Sequence, residues 1–280
     1  MRHIPFHDTW PESWRYSHPY DRLEIWGDLH HRGYAYAYRE RRQHALELIR
    51  RAVAPPGRVL DVAAAQGNFT LALAEAGYEV TWNDLRSDLA DYVRLKHERG
   101  VVHFAPGNAF DLGFGPEFDV VLITEIIEHV AHPDAFLRKV GGLVKPGGHV
   151  VMSTPNGRYF RNPLPRFSDF PDPSVFESRQ FKPDADGHIF LLHPDELGRL
   201  ATAAGLELME VRLYNNPLTG GCLRTEPLLK VLPRSWVLAA ESLTRRLPKG
   251  LRERVCTGMA ALFRRPGESG TQMSGSGIER

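Results

Sequence analysis

The chain is expected to be an α/β protein built on a doubly wound, mostly parallel sheet, and three observations predict this. From about Arg58 short apolar runs alternate with longer helical patterns at the spacing of βαβ units. One run, "EFDVVLITE", is continuous and β-branched, as in a strand buried on both faces. A length of 280 residues with 42% hydrophobic content supplies apolar surface for one large core.

The elements follow in order. About 45 residues rich in aromatics come first, among them Trp10, Trp14, Trp26, Tyr34, Tyr36 and Tyr38, and predict an N-terminal lid over 1–45. A helix is expected over 34–53 with Leu46 and Ile49 facing inward, stopped by Pro55 and Pro56. The core domain, 46–215, then opens with "RVLDVA" as a strand and "FTLALAEAG" as a helix closed by Gly77. "YEVTWND" is the second strand, "LRSDLADYVRLKHERG" a helix closed by Gly100, and "VVHFAPGNA" the third strand. After the buried fourth strand come the helix "PDAFLRKVGGLVKPGG" and the fifth strand "HVVMSTPN". The stretch 157–190, dense in proline and aromatics, predicts an ordered irregular cap. "HPDELGRLATAAG" is a helix, and "LELMEVRLYN" a further strand, expected to run antiparallel. Beyond Asn216 the pattern is helical and basic, predicting an appendage over 216–265 and a disordered Gly/Ser-rich tail over 266–280.

Charge and composition narrow the class. A net charge of +1 gives no general attraction to nucleic acid. The positive charge is concentrated between Glu226 and Arg265, where nine Lys or Arg face three Glu, a local net of +6. Such helices form a solvated face or lie on anionic lipid, with "LLKVLPRSWVLAAESLTRRL" as the contact. No apolar run approaches the roughly 20 residues of a membrane span, and "MRHIPFHDTW" lacks a signal peptide's apolar region, so a cytoplasmic location is expected. Cys222 and Cys256 are too few for a disulfide framework and are read as reduced packing residues. Oligomeric state leaves no mark in the sequence.

In a parallel sheet of this kind ligands bind at the carboxyl ends of the strands. There "VLDVAAAQGNF" places Asp61, then small residues and Gly67 before a helix N-terminus, which suits a nucleotide-like ligand or an ordinary βα turn. Asp84 ends the second strand at the separation of an acid that grips ribose hydroxyls. The absence of G-x-G-x-x-G, and an acid where a pyrophosphate would be repelled, disfavour a dinucleotide. Glu125, Glu128 and His129 fall at i, i+3 and i+4 and would share one face of a helix. They form a divalent-metal site with His188 as a fourth ligand, or they cap and solvate the following helix. His132 reads as a helix-entry residue, and Tyr34, Tyr36 and Tyr38 cover a ligand or pack beneath the lid.

"VLDVAAAQGNF", "VTWNDL", "GNAFDL", "FDVVLITEIIEHV" and "LVKPGGHVVMSTPN" together resemble the class I S-adenosylmethionine-dependent methyltransferases over roughly 45–215. The resemblance implies a Rossmann-like fold and S-adenosyl-L-methionine as cofactor. It implies that the loop from Asp61 to Gly67, with Ala63, Gln66 and the following Phe69, holds the methionine part. Asp84 and Leu85 then hold the ribose, Asn108 and Ala109 lie near the adenine, and Thr124 borders the cofactor. Ala63 and Ala65 stand where the family often has glycine, and Asn108 where it often has aspartate; Ala63 is accommodated if its φ is negative.

"EIIEHV", then "STPN", then a histidine before "HPDEL" resembles the small-RNA 3′-terminal 2′-O-methyltransferases. The E-x-x-E-H-V stretch is also similar to that of ubiquinone-pathway O-methyltransferases, which act on catechols. Both resemblances imply Glu125, Glu128, His129 and His188 as ligands of a divalent ion (Mg, Mn, Fe or Zn), with His193 competing as fourth ligand. Without metal, His129 would be a general base, with Glu125 and Glu128 as its catalytic partners. The expected reaction is methylation of a hydroxyl on a small molecule. Alternatives are an RNA 2′-O-methyltransferase, with Arg158, Arg161 and Arg166 as phosphate contacts, and a metal-free C- or N-methyltransferase of a sugar or secondary metabolite.

Overall fold

Strand β1 (Arg58–Val62) is the third strand of a seven-stranded sheet of order β3-β2-β1-β4-β5-β7-β6 in the computed structural model, which describes residues 1–27, 32–180, 187–221 and 223–267. Two helices precede it, α1 (Glu12–Glu24) and α2 (Arg32–Ala52). Then come α3 (Asn68–Glu75), β2 (Glu79–Asn83), α4 (Leu89–Lys96), β3 (Val101–Phe104) and β4 (Phe118–Thr124). A 3₁₀ turn at Ile127–His129, α5 (Pro133–Gly142), β5 (Val144–Pro155), α6 (Leu197–Ala203) and β6 (Glu207–Tyr214) complete the central unit. The chain closes with α7 (Glu226–Val231), α8 (Arg234–Arg245), α9 (Lys249–Val255) and β7 (Gly258–Arg264).

Strands β1 to β5 are parallel, with Asp61 opposite Trp82 and Leu122, and Thr124 opposite Ser153. This alignment brings the carboxyl ends of β1, β2, β4 and β5 side by side. Alternation along β4 divides the core: Val121 and Ile123 pack with Phe136, Leu137 and Leu197 of α5 and α6. Val120 and Leu122 face Leu48 and Ile49 of α2 and Leu73 of α3.

The sequence reading differs from the structure at the C-terminal end. β6 does pair antiparallel, but only with β7, and β7 pairs antiparallel with β5. β6 therefore runs in the direction of β5, and β7 is the strand that runs against the sheet. β7 comes from within 216–265, which sequence pattern takes as wholly helical. Its "MAALF" core, Met259 to Phe263, is buried throughout, as a strand flanked on both edges and covered on both faces must be. Helices α7 to α9 occupy the rest of that segment.

The N-terminal aromatics pack over α4. Trp10 and Trp14 set their rings 5.8 and 5.6 Å from Tyr92. Beneath them the fully buried Asp21 Oδ2 of α1 accepts from Lys96 Nζ (2.8 Å) and Tyr92 Oη (2.6 Å) of α4. α2, its Leu46 and Ile49 buried, lies across β5 and β7. Among the described residues 157–190 holds only 3₁₀ turns, at Phe167–Asp169 and Pro173–Arg179, packed through Phe167 and Phe176 on Phe190. Cys256 is a free, buried core residue whose thiol burial pushes up to about 12. Cys222 and most of the expected disordered tail lie outside the described residues.

Candidate active site

The turn after β1 is tied to the end of β2: Ala64 N–H donates to Asn83 O (2.8 Å) and Ala65 N–H to Asp84 Oδ2 (2.8 Å). The turn is tight enough that Ala63 and Ala65 take φ of +52° and +47°. The condition set for Ala63, a negative φ, is thus not met, and a left-handed alanine costs about 1–2 kcal/mol. Gly67, at φ +73°, caps α3 where a Cβ would stand 2.7 Å from a Val93 methyl.

The loop residues fit an amino-acid and nucleoside ligand in one respect and leave two contacts to be rearranged. Asp61 is buried; its Oδ2 accepts from Thr70 Oγ1 (2.6 Å), while Oδ1 has no partner. Burial raises its pKa to about 7. An unpartnered buried acceptor in this loop suits an ammonium group. Asp84 already accepts from Ala65 and from Arg86, N–H at 2.9 Å and Nε at 3.1 Å, so a ribose would compete with the Arg86 side chain. Asn108 closes its own turn, with Nδ2 donating to Asp111 Oδ2 (2.7 Å) and Oδ1 accepting from Phe110 N–H (3.2 Å). Ala109 and Phe69 are buried and Leu85 is exposed.

Beyond β4 the chain turns sharply. Glu125 takes φ +53°, its N–H donates to Ser153 O (2.9 Å), and its Oε1 accepts from Ser153 Oγ (2.9 Å). Its other oxygen lies 3.5 Å from Arg41 Nη2 of α2. The next residues form a 3₁₀ turn, so the i, i+3, i+4 spacing does not put three side chains on one face. Glu128 is directed inward instead: it is fully buried, and its Oε2 accepts from Thr154 Oγ1 (2.9 Å) while Oε1 has no partner. Burial, reinforced by the Glu125 charge, holds its carboxyl well above the usual range.

Ile189 N–H donates to Glu128 O (2.9 Å), which carries the end of the cap to this turn. His188 is thereby set beside His129, ring centroids 4.9 Å apart, and burial together with His129 lowers its pKa. Ligand atoms of Glu128, His129 and His188 all lie within 4.8 Å of one another. Glu125 and His193 are not in that group: Glu125 faces Ser153 and Arg41, and His193 sits in the turn closed by Glu196. His132 bonds Glu177 (2.8 Å) from the N-cap of α5, a helix-entry position.

Several residues of this site escape sequence reasoning. Glu24, at the end of α1, accepts from Tyr34 Oη (2.6 Å), Asn68 Nδ2 (2.7 Å) and Gln66 Nε2 (3.1 Å), so the N-terminal segment reaches the cofactor loop. Nothing local in the sequence marks it. Arg41 had a signal: Tyr34, Tyr38 and Arg41 recur at the spacing of one helical face.

A Rossmann-like sheet with a reversed β7, an acid ending each of β1 and β2, and a polar cluster beyond β4 define a class I S-adenosylmethionine-dependent methyltransferase. Residues 34–211 match a family model described as a methyltransferase domain, and the chain belongs to that family. A ubiquinone biosynthesis O-methyltransferase from Aromatoleum aromaticum is 31% identical over 167 residues, 58% of this chain and 69% of that one. One from Bordetella avium is 33% identical over 167 residues, 58% and 67% of the two chains. Among solved structures, an S-adenosylmethionine-dependent methyltransferase from Mesorhizobium loti shares the fold with a TM-score of 0.51 and 17% identity, over 79% of this chain and 96% of that one.

Proposed function

We propose that this methyltransferase acts on a hydroxyl oxygen of a small molecule, and that the hydroxyl loses its proton at the Glu128–His129–His188 cluster. One observation carries the reading: a fully buried carboxylate with an unpartnered oxygen beside two imidazoles. The relatives named ubiquinone biosynthesis O-methyltransferase support oxygen as the acceptor atom. Two nitrogens and one carboxylate oxygen also fit a divalent ion, and this donor set favours Zn, Fe or Mn over Mg. Such an ion, held by Glu128, His129 and His188, supplies a lowered hydroxyl pKa.

The other tasks belong to the chain. The Asp61 loop and Asp84 seat the cofactor, and Tyr34, Arg41 and the cap keep water out. The acceptor oxygen attacks the methyl carbon in line with the departing sulfur, which leaves as the neutral thioether of S-adenosylhomocysteine. Two of the three arginines considered for RNA are already paired, Arg158 with Glu253 (2.9 Å) and Arg166 with Asp195 (2.8 Å), which favours a small acceptor. The apolar and basic face of α7 and α8 supports a peripheral contact with anionic lipid.

Glu128→Gln and His129→Ala should lose transfer by about 100-fold or more while S-adenosylhomocysteine affinity holds, whereas Asp84→Ala should weaken that affinity. Normal turnover in the first two variants would sink the proposed site. Metal analysis with chelation decides the ion: bound metal and chelator-sensitive activity support it, and metal-free, chelator-resistant activity leaves His129 as the base.

A further inference from the structure

A cavity of about 790 Å³ lies between α1, α2 and the start of α8. Arg32, Arg39 and Arg42 line it from one face of α2, and Arg234 from α8; Glu24 is the one acid among the described lining residues. Arg32 is fixed by its Nη1 bonds to Leu229 O (3.0 Å) and Lys230 O (2.8 Å). Arg32 Nε, Arg39 Nη1 and Arg42 Nε are buried with no acceptor, and the Tyr38 hydroxyl on the same wall also has none. Four guanidinium groups repel one another, and each buried N–H without an acceptor carries a desolvation cost. An anion removes both penalties.

We propose that this cavity binds the phosphate or diphosphate group of a phosphorylated ligand, and that the ligand is the methyl acceptor. Guanidinium forks match phosphate oxygens bidentately, and among the described lining residues four cations face one carboxylate. The volume falls within the range of small-molecule sites, roughly 300–1,000 Å³. Two residues join the cavity to the chemistry. Glu24 accepts from Gln66 and Asn68 of the cofactor loop, and the Tyr38 ring stands 5.9 Å from the Arg41 guanidinium, which pairs with Glu125. A molecule anchored by its phosphate here extends past Tyr38 towards the polar cluster. The assignment of that molecule as acceptor rests on the function proposed above; the anion site does not.

The test is titration of inorganic pyrophosphate into the full-length protein saturated with S-adenosylhomocysteine, followed by calorimetry. The expected result is one saturable site, at least tenfold weaker in Arg39→Gln/Arg42→Gln and several-fold weaker in Arg234→Gln, an exposed position with no burden on folding. Unchanged S-adenosylhomocysteine affinity in each variant shows that the fold persists. Glu128→Gln should bind pyrophosphate as the wild type does, whatever happens to transfer, so failure of the catalytic reading leaves this result standing. No saturable binding, equal binding in the arginine variants, or displacement of pyrophosphate by S-adenosylhomocysteine overturns the proposal.

Discussion

Ala63 and Ala65 hold left-handed φ between the end of β1 and Gly67, and each carries a steric penalty that glycine would not. Glycine loses more entropy on folding, so the gain is partial. Ala63→Gly and Ala65→Gly should each raise unfolding free energy by up to about 1 kcal/mol, seen as a higher denaturant midpoint with an unchanged slope. A lower midpoint would mean the turn is not strained. Asp61 gives a second prediction. Its folded pKa of about 7 lies above the unfolded value of 3.8, so the native state binds the extra proton between them. The stability this contributes is full below pH 3.8 and is lost as pH rises through about 7. Asp61→Asn cannot ionise, so its stability relative to wild type should climb from pH 4 to 7 at a slope approaching ~1.4 kcal/mol per pH unit. Parallel curves would refute the raised pKa. The acids were legible at this scale because chemistry requires their residue type. The backbone signs at Ala63, Ala65 and Glu125 were not, because a short side chain in a turn is compatible with either hand.

Elements were legible where one periodicity dominated. Although α4 stops at Lys96, with His97 as its C-cap, four residues before the expected Gly100, the five parallel strands and the helix closing on Gly77 follow from apolar runs and breakers in the sequence. β7 did not: Arg254, Arg264 and Arg265 flank "MAALF", and a five-residue apolar run between basic residues matches a helix face as well as a strand. Of the four ligands expected from sequence, Glu128, His129 and His188 come together, His188 through the Ile189–Glu128 backbone bond, while the 3₁₀ turn leaves Glu125 out of the group. The docking of α1 on α4 had no signal, because the buried Asp21–Lys96 pair is 75 residues apart. Asp21→Asn leaves the Lys96 ammonium without its counter-ion and should cost about 3–5 kcal/mol. Its effect should reach function, because α1 also carries Glu24 to Gln66 and Asn68. Weaker S-adenosylhomocysteine binding and faster proteolysis within residues 1–27 would accompany the loss. A variant as stable as wild type would show that α1 is held by its aromatic contacts alone.

At the scale of the molecule the charge is one-sided, and that asymmetry coincides with exposed apolar surface. Val231 and Trp236 are 77% and 67% exposed, and Leu228 and Leu243 extend the face. Lys230 on α7, Arg246 at the end of α8 and Lys249 at the start of α9 are also exposed. No helix among the described residues is long and apolar enough to cross a membrane. Each surface cation near an anionic leaflet is worth about 1 kcal/mol, which a scattered apolar patch alone would not supply. Vesicles containing anionic lipid should therefore shift Trp236 emission to the blue, read as the difference between wild type and Trp236→Phe. Neutral vesicles should leave it unchanged, and added salt should reverse the shift because the attraction is screened. Val231→Asp should abolish the shift without altering turnover of a soluble acceptor, since Val231 belongs neither to the polar cluster nor to the lining of the arginine cavity. Emission unmoved by anionic vesicles would leave this face as solvated surface.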